Sequence, residues 1–219
     1  VIDSRQFVID NLSMHESWRL FRIMAEIVDG FEDMTDVGPA VSIFGSARAK
    51  PGDEDYELTQ EVARQLSAAG YDIITGGGPG LMEAANKGAK AGGKGKSIGL
   101  HIELPLEQKS NDFLDERITF RYFFIRKLVF VKYAMAYIAM PGGFGTLDEM
   151  AEALVLIQTR RIKPFPIILM GSDFWSGLID WFKSSLLKRG YVSPENFDLL
   201  TILDTPEEVV SHIKRHVIV

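Results

Sequence analysis

A doubly wound α/β fold is predicted by three features: short, wholly apolar runs that recur along the chain, amphipathic segments between them, and glycine clusters that follow two of the runs. Apolar runs without alternation read as strands buried on both faces, the condition of a parallel sheet covered by helices. The runs are Ala40–Phe44, 71–75, 96–102, 134–140 and 166–170, with 118–122 as a sixth. Helical spacing fills the intervals at 53–69, 80–92, Phe123–Tyr133 and 146–160, and continues at 173–188 and 205–216. The result is a single Rossmann-like parallel sheet flanked by helices.

With 219 residues, 46% hydrophobic and 25% charged, the chain has enough material for one substantial core. One domain over 1–219 is therefore expected, with 1–35 as an N-terminal helical extension. Within 17–31 the apolar residues Trp18, Leu20, Phe21, Ile23, Met24, Ile27, Val28 and Phe31 cover more than one narrow stripe. Such a helix is expected to pack on the core and on a partner subunit at once.

A formal net charge of -6 argues against nucleic-acid or membrane-surface binding, because both partners are polyanions. It leaves room for a small anionic ligand in a locally positive pocket. The absence of cysteine removes disulfides, thiolate metal sites and a cysteine nucleophile together. His15, His101, His212 and His216 are scattered, and only the last two share a helix face, so no metal site is expected. No apolar stretch has the length of a membrane span and the N-terminus lacks a signal-peptide layout, which makes the expected location cytoplasmic.

The glycine loops carry the first functional signal. Thr75-Gly-Gly-Gly-Pro-Gly80 ends a strand and turns directly into a helix, and Pro141-Gly-Gly-Phe-Gly-Thr146 repeats the arrangement. A glycine-rich strand-to-helix turn leaves backbone N–H groups free at the helix start, where they and the helix dipole favour an anion. Neither loop spells G-x-G-x-x-G, since Gly78 and Gly80 are followed by Glu83, and Gly143 and Gly145 by Asp148. The stretch Gly95-Lys96-Ser97 lacks the glycine a P-loop needs at the position of Lys90. Two loops at one sheet edge are thus expected to cradle one phosphoryl group, without a dinucleotide or nucleoside-triphosphate signature.

Arg126 and Lys127 fall in the first turn of a predicted helix, where the dipole disfavours cations by about 0.3–1 kcal/mol. An anion nearby is expected to compensate, either a ligand or a loop carboxylate such as Asp112, Asp115 or Glu116. Glu149 has two readings. Thr146-Leu-Asp-Glu149 has the spacing of a capping box, or Glu149 is a carboxylate placed beside a bound sugar.

These residues resemble the LONELY GUY family of cytokinin-activating phosphoribohydrolases, formerly labelled possible lysine decarboxylases. The resemblance is carried by Arg126-Lys127 with Pro141-Gly-Gly-Phe-Gly-Thr-Leu-Asp-Glu149, by Phe44-Gly-Ser-Ala-Arg48, and by Gly76-Gly-Gly-Pro-Gly-Leu-Met-Glu-Ala-Ala-Asn86. Leu104-Pro-Leu-Glu-Gln108 with Asn111, Tyr122-Phe-Phe-Ile-Arg-Lys127 and Gln158-Thr159 extend it over most of the chain. Glu83 stands where many plant-type members carry glycine and matches a longer bacterial branch.

The resemblance implies hydrolysis of AMP or an N6-substituted AMP to free base and ribose 5-phosphate, without a cofactor, in a homodimer or larger homo-oligomer. It implies Arg126 and Glu149 as the catalytic pair. Substrate binding falls to Ser46, Gly77, Gly78, Gly80, Met82, Glu83, Lys127, Gly142, Gly143, Gly145 and Thr146. Two rivals remain: a nucleotide sensor or cofactor carrier using the same loops without chemistry, and a pyridoxal-phosphate decarboxylase, which needs a Schiff-base lysine such as Lys127 or Lys132.

Overall fold

The computed structural model describes residues 16–103 and 110–217. Leu104-Pro-Leu-Glu-Gln108 and His15 lie outside them. In chain order the elements are α1 (Glu16–Asp33), β1 (Ala40–Phe44), α2 (Glu54–Ala68), β2 (Asp72–Thr75), α3 (Leu81–Gly92) and β3 (Ser97–Ile102). There follow β4 (Glu116–Phe120), α4 (Phe123–Tyr133), β5 (Ala134–Ala139), α5 (Phe144–Gln158), β6 (Ile167–Met170), α6 (Ser172–Trp181), β7 (Leu200–Leu203) and α7 (Pro206–His216).

The strands form one seven-stranded sheet in the order β4-β3-β2-β1-β5-β6-β7, with every neighbouring pair parallel. Alternation along each strand divides the core between the two faces. Ala40 and Phe44 of β1, with Ile167 and Leu169 of β6, pack with Val129 of α4, Met150 of α5 and Trp175 of α6. Val41, Ile43, Ile168 and Met170 pack on the other face with α2, α3 and α7. The chain winds outward from β1 to β4, then returns to β5 on the far side of β1. That reversal opens a crevice at the carboxyl ends of β1 and β5, the position where such sheets bind ligands.

Several boundaries differ from the sequence expectation. The sixth strand lies at 116–120 rather than 118–122, because the Arg121 and Tyr122 N–H groups donate to Glu26 Oε1 of α1, both at 3.0 Å. The segment expected as one helix over 173–188 ends α6 at Trp181 and continues as a π-helical turn, Phe182–Leu187. A 3₁₀ segment, Pro194–Leu199, and β7 were not expected. β7 is a four-residue, half-buried edge strand. Helix α5 begins at Phe144 rather than Thr146, with consequences for the site.

On α1, Ile23, Ile27 and Phe31 pack against the core while Trp18, Leu20, Phe21, Met24 and Val28 are exposed. The apolar surface on both sides of this helix follows the expectation of more than one stripe.

Candidate active site

A cavity of about 580 Å³ opens at the topological switch point. Its floor comes from the loop after β1 (Gly45, Ser46, Ala47, Arg48), one wall from the first turns of α5 (Gly143, Phe144, Gly145, Thr146, Glu149), and the opposite wall from Met82, His101 and Ile102. Phe123, Arg126 and Phe130 of α4 close it from one face.

The loops that shape this cavity are tied together by one residue. The Ser46 N–H donates to the Pro141 carbonyl at 3.0 Å, and the Ser46 carbonyl accepts the Leu81 N–H at 2.9 Å. Both glycine loops are therefore fastened to the end of β1. Gly80 permits this at positive φ, since a Cβ there would collide with the Ser46 carbonyl oxygen. Gly142 is needed for the same kind of reason: a Cβ would collide with Thr146 Oγ1 and crowd the Ser46 N–H.

The first loop is thus less open to a ligand than its composition suggests. The Leu81 N–H, one of the N-terminal donors of α3, is taken by Ser46. The Gly77 N–H donates to Thr75 Oγ1 at 2.9 Å, and Asn111 Nδ2 donates to the Gly78 carbonyl at 3.0 Å and to Asn86 Oδ1 at 3.0 Å. Only Gly76 and Met82 of this loop line the cavity, while Gly77, Gly78 and Gly80 do not. Glu83 does not line it either, and accepts a hydrogen bond from the Tyr56 hydroxyl at 2.9 Å. The α3 terminus thus reaches the cavity through Met82, with its Leu81 N–H already taken, whereas α5 presents the residues of its first turn to it.

At α5, Gly143 is the N-cap, and the first intrahelical bond runs from the Leu147 N–H to its carbonyl at 3.1 Å. The N–H groups of the first turn have no intrahelical acceptor and border the cavity, with no acidic residue among them. Arg48 adds a positive charge across the floor. This is an electropositive end suited to a phosphate or carboxylate.

Because α5 starts at Phe144, Thr146 and Glu149 both lie inside the helix and the capping box does not form. Glu149 turns instead toward α4, where Arg126 Nη2 lies 3.2 Å from Glu149 Oε1. Both side chains are largely buried, 15% exposed for Arg126 and 6% for Glu149. Glu149 Oε2 and Arg126 Nε are buried without a hydrogen-bond partner among the described residues. The Arg126 guanidinium also stands 5.5 Å from the ring centres of Phe123 and Phe130.

Burial pushes the Glu149 carboxyl up to about 7, the charges of Arg126 and Lys127 offsetting only part of the effect. Burial likewise lowers Arg126, against the opposing pull of Glu149. A carboxyl group that titrates near neutrality in a cleft can accept or donate a proton at physiological pH.

Lys127 does not line the cavity. Its ammonium bonds Asp148 Oδ2 at 2.9 Å and pairs with Glu152 Oε2 at 3.1 Å. The anions that compensate the basic pair are thus on α5, and not Asp115, which pairs with Lys90, or Glu116, the first residue of β4, which pairs with Lys96. Lys132 stands 4.8 Å from the ring centre of Phe31. Among the described residues no lysine borders the cavity, and no group of three His, Asp or Glu side chains is placed to hold a metal ion.

Of the residues expected from sequence, the cavity brings together Ser46, Met82, Arg126, Gly143, Gly145, Thr146 and Glu149. Sequence reasoning did not single out Phe44, Ile102, Phe123 or His101. His101 could have been found, because it is the penultimate residue of a predicted strand and every carboxyl end near the switch point is a candidate.

Fold and site together define a doubly wound α/β protein with an anion-receptive helix terminus and a buried acid at its switch point. Residues 82–213 match the model of the family described as possible lysine decarboxylase, and the chain belongs to that family, the LONELY GUY family. A cytokinin riboside 5′-monophosphate phosphoribohydrolase of Mycobacterium tuberculosis is 30% identical over 158 residues, 70% of this chain and 82% of the relative. A probable enzyme of the same name from Oryza sativa subsp. japonica is 25% identical over 157 residues, 71% of this chain and 64% of its own length. Among solved structures, the molybdenum cofactor binding protein of Rippkaea orientalis superposes with a TM-score of 0.61 at 25% identity, covering 82% of this chain and 98% of that one.

Proposed function

We propose that the protein hydrolyses the N-glycosidic bond of a nucleoside 5′-monophosphate, AMP or an N6-substituted AMP, to free base and ribose 5-phosphate. The observation that carries this reading is Glu149. It is a buried acid held by one oxygen against Arg126, near-neutral in titration, and three residues beyond the anion-receptive turn of α5. A phosphate seated on Gly143, Gly145 and Thr146 brings the attached ribose toward that carboxyl group. Ser46 and Arg48 border the same seat.

Cleavage of an N-glycosidic bond gives the sugar oxocarbenium character, which a fixed carboxylate stabilises more in the transition state than in the ground state. Glu149 takes a proton from the attacking water, and Arg126 orients Glu149 and favours its ionised form. The names of the mycobacterial and rice relatives support this reaction class. The lysine decarboxylase suggested by the family's description finds less support, because a Schiff base needs a lysine at the reacting centre.

A carrier reading has one observation in its favour, the likeness to the Rippkaea orientalis cofactor-binding protein. Incubation with AMP followed by chromatography for adenine separates the two: a hydrolase releases base, a carrier returns the nucleotide intact. The chain is further proposed to act in the cytoplasm as a homo-oligomer, free of nucleic acid and membrane. The exposed apolar residues of α1 and the exposed Phe124 and Leu128 of α4 support self-association. No described helix is long and apolar enough to cross a membrane.

A further inference from the structure

Hydrolysis at C1′ makes two proton demands on opposite sides of the sugar. The attacking water must lose a proton, and the departing base must gain one, since a purine leaves poorly as an anion. One carboxyl group serves both only when it can reach both faces, and glycosidases that invert at the reacting carbon divide the work between two groups. The cavity therefore needs a second proton-carrying group, away from Glu149.

Among the described lining residues the titratable side chains are Arg48, His101, Arg126 and Glu149. Arginine does not give up its proton in proteins, which leaves His101. It is 8% exposed and is the penultimate residue of β3, paired in register with Thr119 of β4. β3 lies three strand spacings from β5, with β2 and β1 between them. At about 4.8 Å per spacing, that sets the two strand ends roughly 14 Å apart.

The cavity is thus polarised across the sheet. Its electropositive turn and Glu149 are on the β5 side, and His101 is on the β3 side among Met82, Ile102 and Phe123. A nucleotide seated by its phosphate on α5 spans this distance with its ribose near Glu149 and its base against the apolar flank. Besides the Arg126 guanidinium, which stands by the Phe123 ring and keeps its proton, His101 is the titratable side chain that borders that flank among the described residues.

We infer that His101 is the general acid of the reaction and that the base it serves is a purine, an inference that rests on the hydrolase reading above. The water oxygen bonds to C1′ as its proton passes to the Glu149 carboxylate. The C1′–N9 bond breaks with its electron pair going to the base, and N7 of the base takes the proton of the His101 imidazolium. Neutral purine and ribose 5-phosphate leave, and exchange with solvent restores the proton to His101 and removes it from Glu149.

The test compares two substrates that differ only in whether the leaving group needs a proton: AMP, and 4-nitrophenyl ribofuranoside 5-phosphate, whose nitrophenolate departs unaided. In His101→Gln and His101→Asn, adenine release from AMP is expected to fall by about 100-fold or more, while nitrophenolate release stays within about 3-fold of the parent protein. Nitrophenolate release also reports that each variant is folded. Any other pattern in a protein whose parent form releases adenine overturns the role of His101: undiminished AMP cleavage, or equal loss on both substrates in both variants. If the parent protein releases no adenine, the hydrolase reading itself falls, and the general acid with it.

Discussion

Glu149 meets Arg126 through Oε1 alone, at 3.2 Å, and leaves Oε2 buried without a hydrogen-bond partner among the described residues. A buried polar atom left unmatched costs about 1–3 kcal/mol, so its retention marks a position with work to do. Glu149→Gln keeps the shape of the side chain and removes its proton-accepting oxygen. Base release from AMP is expected to fall by about 100-fold or more, while nucleotide binding measured by calorimetry stays within several-fold. Full activity in this variant would falsify the assignment of Glu149 to the chemistry.

The raised titration of Glu149 has two pH signatures. As the proposed acceptor of the proton of water it must be ionised, so kcat/KM for the nitrophenyl ribofuranoside 5-phosphate, which needs no proton donor, is expected to rise through a pH of about 7. Stability runs the other way. A carboxyl raised from 4.5 to about 7 in the folded state favours folding fully below pH 4.5 and loses that contribution as pH rises through about 7. The loss amounts to about 3 kcal/mol. Thermal melts of the parent protein and Glu149→Gln between pH 5 and 8 isolate it, since the other carboxylates titrate alike in both. A parallel pH dependence of the two melting curves counts against a raised Glu149.

Gly143 and Gly145 separate ligand from fold. A Cβ at either position meets nothing within 4 Å, so the protein itself does not require glycine there. Gly145→Ala is expected to hold or raise the melting temperature, since alanine in a helix is favoured over glycine by up to about 1 kcal/mol. It is expected to weaken AMP binding by about 10-fold or more if phosphate oxygens approach the backbone at this turn. Unchanged affinity would move the phosphate elsewhere. Gly142→Ala is the contrasting case, because its Cβ collides with Thr146 within the fold. Both stability and activity are expected to drop, by about 1–3 kcal/mol in stability.

The phosphate contributes binding energy that can be used at the reacting centre. Adenosine, which lacks it, is expected to show a kcat/KM at least about 100-fold below that of AMP, equivalent to about 2.7 kcal/mol of transition-state stabilisation. Equal values for the two substrates would remove the α5 turn from the mechanism.

Lys127 ties α4 to α5 through Asp148 and Glu152 without bordering the cavity. Lys127→Met is expected to cost no more than about 1 kcal/mol of stability, because its partners are partly exposed. Its activity loss is expected to be smaller than that of Arg126→Met, in which Glu149 is left buried and unpaired. Steady-state rates on AMP decide the order, and a larger loss at Lys127 would place that residue among the groups that touch the substrate.

The pattern Thr-x-x-Glu occurs twice in this chain and means two different things. At Thr205-Pro-Glu-Glu208 it is a capping box, with Glu208 Oε2 accepting the Thr205 N–H at 3.1 Å. At Thr146-Leu-Asp-Glu149 the helix has already begun at Phe144, and the carboxylate is free to face Arg126. Local spacing is identical in the two cases, and only the start of the helix distinguishes them. The glycine loops are a related case: Gly77, Gly78 and Gly80 have the composition of an anion cradle, and in the fold hydrogen bonds and close packing also tie that loop to Thr75, Ser46 and Asn111.

From the order of its residues alone, this chain discloses its parallel sheet and most of its helices. Burial on both faces demands uninterrupted apolar runs, and helices demand their own period, so both are written locally. The limits of α4, Phe123–Tyr133, were legible to the residue. What only the tertiary structure decided is which side chains share the cavity. Arg126 and Glu149 are 23 residues apart, and His101 reaches the same cavity from the other side of the switch point. Contacts of that kind depend on how strands order themselves across a sheet, and the energy that selects the order is spread over the whole core.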